Sequence, residues 1–371
     1  MLSLKLKRRI LYVLYLFAFT LIAAEILLRI YNPFPSSLVG DKITLNRGYN
    51  KVFINKVFPK VLDEKIIYKR NSIGFRGPEP PADFKDHLTI IAVGGSTTEC
   101  MYVSEGKTWE DHLQQRLNNH LNKVWVNNAG FEGHSTFGHI ILLRDYVTGL
   151  RPNVCLFLVG SNDIDRRDLP PNDQNFTKTN RKWVLFLARH SQLVNTLLNL
   201  WRNHLAREKN VTNNINFSLP DQPARKLSDS AIYFKLSSQP PLLKAYQQRL
   251  NELIHLCRSN GIEPVFVTQP SLMGNTIDSI SGVDLSTFPI GNINGGLFWQ
   301  LLELYNKETK KSAKESGIFF IDLAHELPKS SAYFYDAIHY NNEGSIKVGE
   351  IISGKLIPWL KQRFPQYAKG D

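Results

Sequence analysis

Apolar and amphipathic segments alternate along the chain from residue 88 onward. Short apolar runs that end in glycine or polar residues have the length and composition of buried parallel strands. There are five, LTIIAVGG, VWVNNAG, NVCLFLVG, EPVFVTQ and IFFIDL, at residues 88–95, 124–130, 153–160, 263–269 and 318–323. Amphipathic stretches that favour helices separate or follow them, at residues 108–121, 136–150, 241–261, 298–317 and about 342–362. The alternation predicts an α/β protein with three layers, α/β/α, built on a five-stranded parallel sheet.

A long apolar segment lies near the N-terminus. Ile10 to Ala24 carry no charge, and the apolar character continues past Glu25 to Leu28, which nearly reaches the ~20 residues of a membrane-spanning helix. The basic sequence KLKRR precedes it, a bias that keeps the N-terminus in the cytoplasm. We therefore predict a cytoplasmic stub and a single-pass transmembrane anchor at residues 1–31, with the rest of the chain on the periplasmic or extracellular side. A cleaved signal peptide and the buried helix of a soluble protein are the alternatives.

Two further regions lie outside the alternation. Residues 32–87 include KIIYKRNSIGFRGPEPP, at 65–81, which predicts a short strand, a glycine turn and a proline-rich stop. We interpret residues 32–87 as a membrane-proximal segment before a main domain at residues 88–365. Residues 165 to about 240 are mostly polar, apart from WVLFLARHSQLVNTLLNLW at 183–201, which predicts one or two helices. We expect this second region to be an insertion beside the carboxyl end of the third strand.

Charge and cysteine content narrow the classes of partner and cofactor. The 371 residues carry a formal net charge of +12, which favours anionic surfaces such as phosphate head groups or acidic glycans. The basic residues are spread along the chain and form no nucleic-acid-binding motif, so we expect no nucleic-acid partner. Three widely spaced cysteines fit neither a disulfide framework nor a zinc site. We expect no metal and no organic cofactor.

Three predicted strands end in residues suited to chemistry. Ligands of open parallel sheets bind beyond the carboxyl ends of the strands. The first strand ends in GGSTTEC, which exposes Ser96; the second ends in NAGFEGHST with Gly133, and the third ends in GSND with Asn162. Taken singly, these residues also suit a capping serine, a turn glycine and an Asx turn. The GGSTT sequence lacks the spaced glycine and the lysine of a phosphate-binding loop. Asp163 is interpreted as a local cap.

An acid and a histidine stand three residues apart in DAIHYNNEG, at residues 336–344, just before the closing helix. This spacing places Asp336 and His339 on one side of the chain. An Asp that reaches a His nitrogen fixes its tautomer and stabilises its charged form, which is the arrangement of an orienting acid and a general base. A histidine capped by a nearby acid at a helix start is the simpler alternative.

The four blocks together resemble the SGNH hydrolases, also called GDSL-type esterases. They appear in order, each at the end of a predicted strand or before the last helix, and the resemblance covers about residues 88–365. It implies a flavodoxin-like fold, with Ser96 as nucleophile, His339 as general base and Asp336 as its orienting acid. The oxyanion hole would be the Ser96 and Gly133 N–H groups with the Asn162 side chain. The chain departs from the family at Gly95, where relatives often have Asp; GGST blocks are familiar among envelope-attached members.

Other residues near these blocks are weaker candidates. Arg166 and Arg167 follow Asn162 and are possible contacts for an anionic substrate. We expect His134 and His139 to be structural or solvent-facing. Glu99 and Cys100 belong to the same turn as Ser96, but no base is placed for the thiol.

These features favour a membrane-anchored serine esterase that removes acyl groups from an envelope or extracellular glycan or lipid. The same acyl-enzyme would serve an O-acyltransferase, because the choice between the two depends on the access of water. A non-catalytic envelope binding protein is the third hypothesis, and it predicts a broken set of catalytic residues.

Overall fold

The computed structural model describes residues 4–31, 38–40, 42–56, 58, 61–165, 182–208 and 222–370. The chain divides into two compact units. The first comprises Met1–Leu45 and Leu169–Asn213, and the second comprises Asn46–Asp168 and Asn214–Asp371. The domain boundaries expected from the sequence remain predictions.

The described strands, in chain order, are β1 Leu38–Val39, β2 Lys42–Ile43, β3 Asn50–Ile54, β4 Lys65–Lys69, β5 Leu88–Gly94, β6 Val124–Asn128, β7 Val154–Val159, β8 Glu263–Thr268, β9 Pro289–Ile290, β10 Ile293–Asn294 and β11 Phe319–Ile321. The described α-helices are α1 Leu4–Ile30, α2 Ser96–Glu99, α3 Trp109–His120, α4 Thr136–Leu142, α5 Thr148–Leu150, α6 Lys182–His190, α7 Gln192–Glu208, α8 Asp229–Ser237, α9 Pro240–Ser259, α10 Gly295–Ser316, α11 Leu323–Glu326 and α12 Asn342–Arg363.

A five-stranded sheet forms the centre of the second unit, and it confirms the predicted fold class. Its strand order is β11-β8-β7-β5-β6, and every neighbouring pair is parallel. The chain leaves β5 toward β6 on one side and later returns to β7 on the other. The carboxyl end of β5 is therefore the switch point at which open α/β sheets bind their ligands.

Helices cover both faces of the sheet, whose central strands are buried along their whole length. Every residue of β5 and β7 is buried. Ile90 and Ala92 pack into a cluster with apolar residues of α3 and α12, and these two helices also pack against each other. On β7 and β8, Phe157 and Phe266 meet edge to face, with ring centroids 5.7 Å apart. The helix α9 packs against β8, α10 and α4.

The segment before β5 is an antiparallel hairpin of β3 and β4 followed by a turn that reaches the sheet. The backbone of Arg76 pairs with that of Asn128, at the end of β6, through reciprocal hydrogen bonds of 2.8 and 2.9 Å. The sequence predicted a strand in this segment, but it did not predict the pairing strand β3. It also predicted one helix over 136–150, where a π-helical turn at Leu143–Val147 separates α4 from α5.

The first unit contains α1, the β1–β2 pair, α6 and α7. The helix α1 has 27 residues and a mean hydropathy of 2.3 over its apolar window, none of which is buried, so it is long and apolar enough to cross a membrane. A signal sequence has the same features. The predicted helical stretch 183–201 is divided between α6 and α7, with Ser191 between them.

Candidate active site

Ser96 lies at the carboxyl end of the central strand β5. It is the first residue of the short helix α2, two residues after β5 ends at Gly94. Two glycines precede Ser96, and neither position has room for a side chain. A Cβ atom added to Gly94 would collide with the Thr98 side chain, and one added to Gly95 would collide with the side-chain amide of Asn162. The close approach of Asn162 gives a physical reason for glycine at position 95, where relatives often have Asp.

The structure brings Ser96, His339 and Asp336 into one hydrogen-bonded chain. The Ser96 hydroxyl lies 2.7 Å from Nε2 of His339, and Nδ1 of His339 lies 2.6 Å from Oδ2 of Asp336. The other oxygen of Asp336 accepts backbone N–H groups of Ile338 at 2.9 Å and of His339 at 2.8 Å. The acid therefore fixes both the imidazole and the turn that carries it.

The imidazole and the carboxylate stabilise each other's charge within a buried site. Burial lowers the pKa of His339, but the charge of Asp336 and its hydrogen bond outweigh burial and raise that pKa above its ordinary value. Burial raises the pKa of Asp336, and the charge and hydrogen bond of His339 outweigh it, so the pKa of this carboxyl is lowered. The ring of Tyr335 stacks on the imidazole with centroids 5.4 Å apart and planes 7° apart, which restricts the orientation of the base.

The three predicted oxyanion-hole residues follow the carboxyl ends of the neighbouring strands β5, β6 and β7. Asn162 donates an amide hydrogen to the carbonyl of His134 at 2.9 Å, and a side-chain amide has a second hydrogen to offer. Gly133 has a φ of +71°, which favours glycine. The loop that carries Gly133 is hydrogen-bonded to the end of β5, because the N–H of Phe131 donates to the carbonyl of Gly94 at 3.1 Å. The role of these groups as oxyanion donors remains a prediction.

A buried carboxylate that the sequence left without a role holds this loop. Glu99, at the end of α2, accepts the backbone N–H of Glu132 at 2.5 Å. Its other oxygen accepts from the guanidinium of Arg70 at 2.7 Å and from the Tyr68 hydroxyl at 2.7 Å. The side chains of Arg70 and Glu99 are 5% and 10% exposed, so solvent does not screen this ion pair. Glu99 thus joins β4, the helix that carries Ser96 and the loop that carries Gly133.

A second buried arginine binds the carboxyl end of α2, the helix that begins with Ser96. Arg76 is 1% exposed, and its guanidinium donates to the carbonyls of Glu99, Cys100 and Val103 at 2.6, 2.7 and 3.0 Å. It also pairs with Glu105 at 3.1 Å. The NSIGFRG sequence, for which the sequence analysis offered no mechanism, therefore supplies the arginine that binds the carbonyls at and just beyond the end of α2.

The weaker candidates that the structure describes are all buried. Asp163 is 1% exposed. It accepts hydrogen bonds from the backbone N–H and the hydroxyl of Thr136 and pairs with Arg249 at 3.1 Å, so it caps α4 and joins it to α9.

His134 and His139 are buried. Burial and the charge of Glu110 raise the pKa of the Cys100 thiol well above its ordinary value, so it is a poor nucleophile. Arg166 and Arg167 fall outside the described residues. Among the residues that the structure describes, no cluster of metal-ligating side chains is found.

Residues 92–345 match the model of the GDSL-like lipase/acylhydrolase family. No curated protein matches the chain. Solved structures that resemble it include a GDSL-like lipase from Bacteroides thetaiotaomicron, which is 10% identical, with 77% of this chain and 93% of the lipase covered and a TM-score of 0.39. The acetylxylan esterase Axe2 from Geobacillus stearothermophilus is 13% identical, with coverage of 72% and 94% and a TM-score of 0.42. At these values neither structure indicates the substrate of this chain.

Proposed function

The chain belongs to the GDSL-like lipase/acylhydrolase family, which comprises serine esterases and lipases, and we propose that it is a membrane-anchored esterase that acts through an acyl-Ser96 intermediate. The observation that carries the proposal is the unbroken chain of hydrogen bonds from the Ser96 hydroxyl to His339 and from His339 to Asp336, at 2.7 and 2.6 Å. A serine hydroxyl is a weak nucleophile until an adjacent base accepts its proton. The arrangement supplies that base with its acceptor nitrogen facing the hydroxyl.

The proposed reaction has two halves. Nε2 of His339 takes the proton of Ser96 as Oγ attacks the ester carbonyl carbon, and the resulting imidazolium is stabilised by the Asp336 carboxylate. The tetrahedral oxyanion is stabilised by the N–H groups of Ser96 and Gly133 and by the Asn162 amide. Its collapse breaks the bond to the alcohol oxygen, which receives the proton from His339. A water molecule then attacks acyl-Ser96 by the same steps, releases the carboxylic acid and restores the serine.

The membrane anchor is proposed to be retained rather than cleaved. Glu25, near the end of α1, accepts hydrogen bonds from the Ser191 hydroxyl and from the backbone N–H groups of Gln192 and Leu193, at 2.7, 3.0 and 2.9 Å. Arg29 donates to Glu25 at 2.7 Å and to the carbonyl of His190 at 2.8 Å. Removal of α1 as a signal peptide would leave the start of α7 without these partners, which supports an integral anchor. The basic KLKRR sequence supports a cytoplasmic N-terminus.

The proposed substrate is an acyl ester of a glycan or lipid on the far side of the membrane. The anchor would keep the enzyme at the envelope, and the net charge of +12 favours an anionic surface. The intact hydrogen-bonded chain at Ser96 counts against a purely binding role, which would not need it.

The test is hydrolysis of a short-chain aryl ester by the full-length chain in detergent, compared with Ser96→Ala and His339→Ala. Ser237→Ala, an exposed serine of α8, is the matched control. The proposal predicts turnover by the wild type and the control, with each site variant at least about a hundredfold slower. Equal rates for wild type and Ser96→Ala would refute the assigned nucleophile. Comparing acetyl with long-chain esters would then separate glycan deacetylation from lipid hydrolysis.

A further inference from the structure

The polar side of helix α7 is buried against the protein, and its apolar side is exposed. Among the α7 side chains whose burial the structure describes, the buried ones are Asn195, Thr196, Asn199 and Arg202, each between 4% and 7% exposed. On the opposite side, Leu197 and Trp201 are each 58% exposed and Leu200 is 40% exposed. A helix on the surface of a water-soluble protein shows the reverse arrangement. The reversed amphipathicity of α7 therefore indicates that its exposed side faces an apolar environment.

The polar side of α7 is fixed toward the protein by the turn between β1 and β2. Arg202 donates to the carbonyl of Gly40 at 2.8 Å and to the side chain of Asn199 at 3.1 Å. The N–H of Gly40 donates to Asn195 at 3.1 Å. These bonds tie three buried polar side chains to one turn, so rotating the helix to hide its leucines would break them.

The preceding helix continues the same apolar surface. Trp183, Phe186 and Leu187 follow the i, i+3, i+4 spacing of one helix face and are 64%, 58% and 42% exposed, whereas Leu185 and Ala188 of α6 are buried. With Leu197, Leu200 and Trp201 of α7 these residues form an exposed apolar set that we call the α6–α7 face. Six large apolar side chains, two of them tryptophan, are costly to leave in water.

The junction of these two helices is held at one end of α1. Glu25 and Arg29 bind the residues around Ser191, between α6 and α7, and Glu25 follows directly on the uncharged run that ends at Ala24. In a spanning α1 this position is the outer boundary of the hydrocarbon layer. Tryptophan side chains are enriched at that depth, where one part of the ring is apolar and the N–H is wet.

We propose that the α6–α7 face lies in the outer leaflet of a phospholipid bilayer, so that α6 and α7 are interfacial helices attached to the spanning helix α1. The proposal rests on the proposed anchor. Lipid is favoured over a protein partner because α1, which packs against α7, has no buried residue in its apolar window, so both helices present apolar surface. Interfacial helices bind by burying an apolar face at the boundary of head groups and acyl chains.

The test measures which solvent surrounds single side chains of the full-length chain in phospholipid nanodiscs. Cysteine is introduced at Phe186→Cys on α6 and at Leu197→Cys on α7, and a nitroxide spin label is attached. Leu14→Cys, within α1, reports on the anchor, and Glu252→Cys, exposed on α9, is the aqueous control. The three native cysteines are buried, so the unsubstituted chain is the labelling blank. Collisions with oxygen, which concentrates in lipid, are compared with collisions with a water-soluble nickel complex. Hydrolysis of the aryl ester by each labelled variant verifies that it is folded.

The proposal predicts an oxygen-to-nickel collision ratio at Phe186→Cys and Leu197→Cys that is severalfold higher than at Glu252→Cys and lower than at Leu14→Cys, which lies deeper in the hydrocarbon layer. A ratio like that of Glu252→Cys at both positions would overturn it, while a lipid-like Leu14→Cys would leave the anchor standing. Low collision rates with both reagents would show that protein covers the face, and would also overturn it. A water-like Leu14→Cys would instead remove the anchor itself.

Discussion

The guanidinium of Arg70 lies 2.7 Å from the carboxylate of Glu99, and this buried ion pair joins the segment before the central sheet to the helix that begins with Ser96. The second oxygen of Glu99 accepts the N–H of Glu132, next to Gly133. Arg70, which precedes Glu99 by 29 positions, thus helps to position the loop of the proposed oxyanion hole.

The first prediction separates the stability contributed by this pair from its positioning effect. Arg70→Met leaves a buried carboxylate unpaired and is expected to lower the free energy of unfolding by about 3–5 kcal/mol. Arg70→Met/Glu99→Leu removes both charges and is expected to recover part of that loss. Its kcat is expected to be lower than that of the wild type, because the Glu132 N–H has lost its acceptor. Denaturant unfolding and steady-state kinetics check both points. A double variant with wild-type kcat would show that the pair contributes to stability alone.

The second prediction concerns the pH dependence of the rate. His339 must be neutral to act as a base, and its pKa is raised above the ordinary 6.5. The value of kcat/KM is therefore expected to fall as the pH is lowered through a midpoint above 6.5. The charge of Glu132 contributes to the raised pKa, so Glu132→Gln is expected to move that midpoint to lower pH. Glu343→Gln, an exposed acid of α12, is the control and is expected to leave it in place.

The third prediction concerns the glycine before the nucleophile. The Cβ of Gly95→Asp would meet the Asn162 amide and, at 3.2 Å, the carbonyl of His134. This substitution is therefore expected to displace Asn162, a proposed oxyanion donor, and to lower kcat by about 10²–10³. Gly149→Ala is the control, since nothing lies within 4 Å of its Cβ. An active Gly95→Asp variant would count against Asn162 as a donor.

The fourth prediction distinguishes Asp163 from Asp336, the proposed orienting acid of His339. Its carboxylate pairs with Arg249 and caps α4, so Asp163→Asn is expected to destabilise the fold by about 3–5 kcal/mol. The folded fraction should keep the pH dependence of the wild type. Asp336→Asn is expected to do the opposite, with a loss in kcat of about 10⁴ and a smaller loss of stability. Thermal unfolding and pH-rate profiles of the two variants compare them directly.

The sequence predicted the sheet because buried parallel strands are continuous apolar runs. It predicted Ser96 from a motif block at a strand end, and Asp336 and His339 from a block just before the closing helix. It did not predict the Arg70–Glu99 pair, since no local spacing rule connects an arginine on a hairpin with a glutamate 29 residues later. It also did not predict the reversed polarity of α7. An amphipathic pattern gives the two faces of a helix, but only the contacts of Arg202 with the β1–β2 turn decide which face is inside.

Covalent trapping can show whether Ser96 is a nucleophile that His339 activates. The full-length chain is treated with a serine-reactive fluorophosphonate, and the peptide that contains Ser96 is identified by mass spectrometry. We expect modification of Ser96 in the wild type and in the Ser237→Ala control, with labelling slowed at least about a hundredfold in His339→Ala. A folded wild type that is not modified at Ser96, or a His339→Ala variant labelled at the wild-type rate, would contradict it.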